Sequence, residues 1–167
     1  QVSKYRKYFT TITLLTKTPE ILTEPGYLQI LKILSQLPDD HSAKGCFISK
    51  SLPALRVEVS VAFMDKQNAS FYDPGAPSVA SRLSAIRTLR ENGIPVVLRI
   101  DPLLPRNPLA NGKFLEDFKL PDAQNLKALE NLVSFAKDNQ LLHIVYSVAK
   151  VGVPRYKSMT EPMKNLK

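Results

Sequence analysis

Lys17, Ser60, Arg99, Asp101 and Ser147 are the residues of this chain whose types and spacing suit the handling of a polar ligand. Arg99 offers a planar fork for an anion, Ser60 both a donor and an acceptor, and Asp101 an acceptor. Such a group fits a molecule that carries a carboxylate or phosphate together with ribose-like hydroxyls. The competing reading is a structural network in which Arg99 pairs with Glu58 across neighbouring strands. Triad chemistry has no support, because two histidines and one cysteine do not assemble a nucleophile, a base and an orienting group here. His143 falls in the N-terminal half of its segment, the position of a satisfied interior residue.

These side chains are positioned by four segments that read as strands: Phe9–Lys17, Leu55–Phe63, Pro95–Pro102 and Leu141–Lys150. In each, polar residues take one parity and aliphatic residues the other. Val57, Val59, Val61 and Phe63 share a face, while Arg56, Glu58, Ser60 and Ala62 share the opposite one. By the same parity, Thr11, Thr13, Leu15 and Lys17 face inward, as do Val97, Arg99, Asp101, His143, Val145, Ser147 and Ala149. A strand held between two apolar layers would carry little charge, since an unpaired buried charge is costly. One face must therefore meet water, a ligand or a partner charge. The polar positions gather toward the C-terminal strand ends, where β/α proteins bind their ligands.

Amphipathic helices alternate with the strands. The first follows the turn Thr23-Glu24-Pro25-Gly26, repeats Leu28, Leu31, Ile33, Leu34 and Leu37, and stops at Pro38. The second is capped by Ser78, buries Val79, Leu83, Ile86 and Leu89, turns Arg82, Arg87 and Arg90 outward, and ends at Asn92-Gly93. The third runs from about Asp122 to Asp138, with Leu126, Leu129, Leu132, Val133 and Ala136 inward. Loops fill Asp39 to Pro53 and the proline-punctuated stretch from Pro102 to Pro121; one of that length at a strand's C-terminal end is more often functional than decorative. The expected fold is α/β, a partial (β/α) TIM-type barrel of parallel strands over residues 1–154, followed by a basic tail, 155–167. No Gly-rich phosphate loop supports a dinucleotide fold.

The length of 167 residues suits one domain with a sizeable core. No stretch approaches the roughly 20 apolar residues that span a membrane, so no membrane partner is expected. Cys46, the only cysteine, excludes an internal disulfide and reads as a small semi-buried residue in a reduced, cytoplasmic setting. The net charge of +8 is compatible with a polyanionic partner such as nucleic acid, although only the two ends of the chain cluster their basic residues.

The stretch from Tyr72 to Pro105, YDPGAPSVASRLSAIRTLRENGIPVVLRIDPLLP, resembles the later half of radical S-adenosylmethionine enzymes, in the branch related to spore photoproduct lyase. The resemblance is carried by Pro74-Gly75-Ala76-Pro77-Ser78 before a helix–strand joint and by the strand end Arg99-Ile100-Asp101-Pro102. LLTKTPEIL (Leu14 to Leu22), VEVSVAFMD (Val57 to Asp65) and YSVAK (Tyr146 to Lys150) fall where the family has further strand ends. The resemblance implies that Ser60, Arg99, Asp101 and Lys17 contact S-adenosylmethionine or substrate. For the intact enzyme it implies reductive cleavage of the sulfonium to a 5′-deoxyadenosyl radical and hydrogen abstraction.

The departure from the family is the missing C-x3-C-x2-C motif whose thiolates hold a [4Fe–4S] cluster. Cys46 cannot replace it. The expectation is a C-terminal portion of a longer enzyme, inactive alone, with the cluster ligands outside this chain. Two alternatives remain open: a cluster-free basic β/α module that binds an anionic partner such as nucleic acid, and a β/α-barrel enzyme of another family missing its first half. As an isolated arc, the chain is expected to self-associate through its open strand edges.

Overall fold

The computed structural model describes residues 11–36, 53–104 and 124–148. Strand β1 (Ile12–Thr16) leads through a 3-10 turn (Pro19–Thr23) into α1 (Pro25–Gln36). β2 (Leu55–Ser60) is followed by a short α2 (Lys66–Tyr72) and by α3 (Val79–Glu91). β3 (Val96–Leu103), α4 (Leu126–Asp138) and β4 (Ile144–Val148) complete the order. The strands form one four-stranded sheet in the order β1-β2-β3-β4, with every neighbouring pair parallel. The chain is therefore α/β, as its alternating periodicities imply.

Register decides which residues share a face. Leu15 lies opposite Glu58, Glu58 opposite Val97, Ser60 opposite Arg99, and Arg99 opposite Val145. Partners at one register point to the same side of a pleated sheet, so the inner set read from parity is one face of this sheet. The other face is apolar. Leu55, Val57, Val59, Val61, Val96, Leu98 and Ile100 pack in one cluster with Leu31 and Leu34 of α1, Ile86 and Leu89 of α3, and Leu132, Phe135 and Ala136 of α4. Consecutive right-handed crossovers that advance in one direction put their helices on one side of a sheet, which is where this cluster lies.

Helix boundaries follow local chemistry. Ser78 caps α3 by accepting from the amide of Ser81, and Asn125 caps α4 by accepting from that of Ala128. Gly93, at φ +76°, takes the left-handed turn after α3 that a side-chain-bearing residue would resist. Helix α2 was not expected from the sequence: it is short, largely polar, and nucleated by Asp65, whose carboxylate accepts from the amide of Asn68.

Three expectations need correction. Arg82 is not on the outer face of α3 but has no solvent exposure at all. It falls three residues after Val79 and four before Ile86, inside the buried stripe that those two residues define. Leu126 and Val133 were expected to face inward and are exposed, as is Ile33 of the apolar repeat in α1, because the apolar stripes of α1 and α4 are wider than the faces they bury. β2 ends and β4 begins inside their alternating segments, with Val61 to Phe63 and Leu141 to His143 outside regular strand, whereas β3 runs one residue past Pro102. Cys46, most of the loop from Asp39 to Pro53, the long stretch between Pro105 and Pro121, and the tail 155–167 lie outside the described residues. Among the described residues no helix is long and apolar enough to cross a membrane.

Candidate functional site

The polar face carries a chain of hydrogen bonds and ion pairs that crosses all four strands. Arg56 on β2 donates through Nε to Thr13 Oγ1 on β1 at 3.1 Å, and its Nη2 lies 3.0 Å from Glu58 Oε1. Arg99 on β3 donates through Nη1 to Glu58 Oε2 at 2.7 Å and through Nη2 to Asp101 Oδ2 at 2.8 Å. Ser147 on β4 donates to Asp101 Oδ1 at 2.6 Å. Parity dictates this arrangement: alternate residues of parallel strands in register bring Glu58, Arg99 and Asp101 into adjacent positions on one surface.

The chain is graded in depth. The Glu58 side chain is only 6% exposed, whereas that of Asp101, near the C-terminal strand end, is 35% exposed. Glu58 accepts a hydrogen bond from Arg99 and is ion-paired with Arg56, so its buried charge is compensated. The Ser147 hydroxyl and then the Arg99 guanidinium hold the Asp101 carboxyl below its ordinary range, against a smaller opposing effect of burial. Asp101 and Glu58, through their hydrogen bonds, raise the Arg99 guanidinium above its ordinary value. Asp101 is thus an ionised acceptor that reaches solvent.

The structural pairing weighed for Arg99 is present: both of its terminal nitrogens are committed to carboxylates, which leaves little of its fork for a free anion. Ser60 lies beside Arg99 in register and is buried, and its hydroxyl makes no hydrogen bond among the described residues. Lys17 follows the end of β1 and pairs with Asp73 rather than with the chain, although its charge still acts on Asp101. Its side chain is 53% exposed, so it retains donors for a ligand.

Two contributors come from outside the strands. Asp73, at the end of α2, accepts from Lys17 with one oxygen and from Arg82 Nη1 with the other, at 3.1 Å. Gln124, at the entry to α4, is buried and donates through Nε2 to the carbonyls of Ala62 and Pro102, each at 2.9 Å, while its Oε1 accepts from the Leu104 amide. It ties the C-terminal ends of β2 and β3 together. Both residues were missed in the sequence: Asp73 was given no role, and Gln124 fell inside the helix expected from about Asp122, whereas it precedes α4, which begins at Leu126. The spacing of Arg82 after Val79 was a usable signal. A cleft of about 330 Å³ lies between α2 and the start of α3, lined by Lys66, Ser70, Asp73 and the Pro74–Ser78 segment.

Among the described residues no group of three or more His, Cys, Asp or Glu side chains could hold a metal ion. His143, expected to be a satisfied interior residue, is instead exposed, because it lies before the start of β4 and away from the C-terminal strand ends. No protein-family model, curated protein or solved structure matches this chain.

Proposed function

We propose that this chain is an arc of a β/α barrel of the radical S-adenosylmethionine type, and that its polar sheet face holds that cofactor. One observation carries the reading: a chain of hydrogen bonds and ion pairs across four consecutive parallel strands includes, near the C-terminal strand ends, Asp101, an ionised and partly exposed carboxylate that Ser147 of β4 also holds. Strands that follow their sequence order have no switch point of the kind at which doubly wound sheets bind ligands. A barrel arc binds them over its C-terminal strand ends instead. The residues there fit S-adenosylmethionine. Asp101 can accept from the cofactor's ammonium or ribose hydroxyls, Ser60 has a hydroxyl with no hydrogen bond among the described residues, and Lys17 can meet its carboxylate.

The cluster does not fit the described residues, which carry no thiolate, and no step is assigned to it on this chain. When bound, the cofactor with its cluster supplies one-electron chemistry for hydrogen abstraction. The sheet binds and orients the cofactor, and Arg99 and Ser147 keep Asp101 deprotonated for that contact.

The test uses protein expressed from this coding region together with its upstream part and purified without oxygen. Expected are bound iron, S-adenosylmethionine binding by calorimetry, and about a tenfold loss of affinity in Asp101→Asn, the scale of one charge-assisted hydrogen bond. Protein that binds neither iron nor the cofactor would sink the reading. Steeply salt-dependent nucleic-acid binding in its place would identify a basic binding module.

A further inference from the structure

Arg82 is the largest side chain in the structure with no solvent exposure, and its surroundings do not fully satisfy it. Nη1 donates to the Ser60 carbonyl at 2.9 Å and to Asp73 Oδ2 at 3.1 Å, while Nε is buried with no partner among the described residues. A half-satisfied buried cation is a poor source of stability, and an apolar side chain of similar length often does as well or better. Its position in the stripe of α3, between Val79 and Ile86, would accept such a side chain.

What Arg82 does accomplish is local. The last registered β1–β2 pair is Thr16 with Val59, so the Ser60 carbonyl lies just past the ladder, and Arg82 supplies a donor there. Asp73 shares that guanidinium and also accepts from Lys17, the residue after β1. One cation and one carboxylate therefore tie the ends of β1 and β2 to the connection between α2 and α3. We propose that Arg82 is a positioning residue which, through the Ser60 carbonyl and Asp73, holds Ser60 and Lys17 in place at the ligand-facing rim of the sheet. Its effect on affinity rests on the cofactor reading above; its effect on the strand ends does not.

The test compares Arg82→Met, the charge-balanced pair Arg82→Met with Asp73→Asn, and Arg82→Lys in the full protein. The balanced pair keeps the question open to decision where Arg82→Met alone fails to fold. Amide exchange should rise about tenfold at residues 60–63 and 73–78 and stay unchanged at 96–98 in the centre of the sheet. Affinity for S-adenosylmethionine should fall about tenfold, with partial recovery of both readouts in Arg82→Lys. Uniformly faster exchange would make Arg82 an ordinary stabilising residue, and unchanged exchange at the strand ends would leave it no role; either result overturns the proposal. So does unaltered affinity in variants whose strand ends have loosened. Absence of cofactor binding by the unsubstituted protein would refute the functional reading alone, because strand-end exchange would still decide the role of Arg82.

Discussion

Glu58 and Asp101 both accept from Arg99, yet they differ in what their loss should do. Glu58 is buried between two guanidinium groups, and Glu58→Gln leaves Arg56 and Arg99 facing each other with no anion between them. Breaking a buried pair in this way costs about 3 kcal/mol, the lower end of the usual range since both arginines keep some solvent. Asp101→Asn removes a partly exposed pair and should cost less than about 1 kcal/mol. Urea midpoints of the two variants check the order. Acid tests Asp101 separately. A carboxyl whose folded value is depressed lends stability that is fully present above its unfolded value, about 3.9, and is lost as pH falls through the folded one. The drop in stability below about pH 4 should therefore be shallower in Asp101→Asn than in the unsubstituted protein. The parity of the strand sequences made this group legible, because a period of two fixes which side chains share a surface. The commitment of Arg99 to carboxylates, rather than to a free anion, was one of two readings that parity alone left open. Asp73 and Gln124 were not legible, since they reach the strand ends from loops whose path depends on the packed fold.

At the scale of elements, caps and turns were the most readable features: Ser78 and Gly93 bound α3 where local backbone chemistry requires it. Burial was less readable, because periodicity reports how wide an apolar stripe is and not how much of it finds a partner. On α4, Leu132, Phe135 and Ala136 are buried, but Leu126 and Val133, on the flank of the same stripe, are exposed. Helix α3 buries Val79, Ala85, Ile86 and Leu89 and exposes no large apolar residue. Among the described residues it has a neighbouring helix on either side in the chain order, whereas α1 and α4 end the series. One amide joins the C-terminal ends of β2 and β3 to the residue before α4. Replacing Gln124 with Leu would leave the Ala62 and Pro102 carbonyls and the Leu104 amide without their partner. The expected cost is about 3 kcal/mol, since buried backbone groups left unpaired lose their full solvation. Chemical denaturation checks it, and a loss under about 1 kcal/mol would mean that water replaces the amide without penalty.

For the whole molecule, the parallel strand order followed from the alternation of elements, but what lies beside the outer strands does not follow from any local pattern. Among the described residues β1 pairs only with β2, and β4 only with β3. Exposed apolar side chains cluster on these outer elements: Leu15 on β1, Tyr27, Ile30 and Ile33 on α1, Leu126 and Val133 on α4, and Tyr146 and Val148 on β4. A free strand edge flanked by apolar surface is a template for pairing. The net charge of +8 opposes association over long range but is screened within about 8 Å at physiological salt. Short-range burial should therefore win, and the isolated chain is expected to associate with a second copy as concentration rises. Val133→Lys combined with Ile33→Lys places charges on both exposed flanks without touching the buried stripe. Each should change stability by less than about 0.5 kcal/mol, as exposed positions usually do. Sedimentation velocity should then show the double variant as monomer at concentrations where the unsubstituted chain is assembled. A dilute-solution monomer in both would mean that segments outside the described residues already cover these edges, and association through them would be excluded.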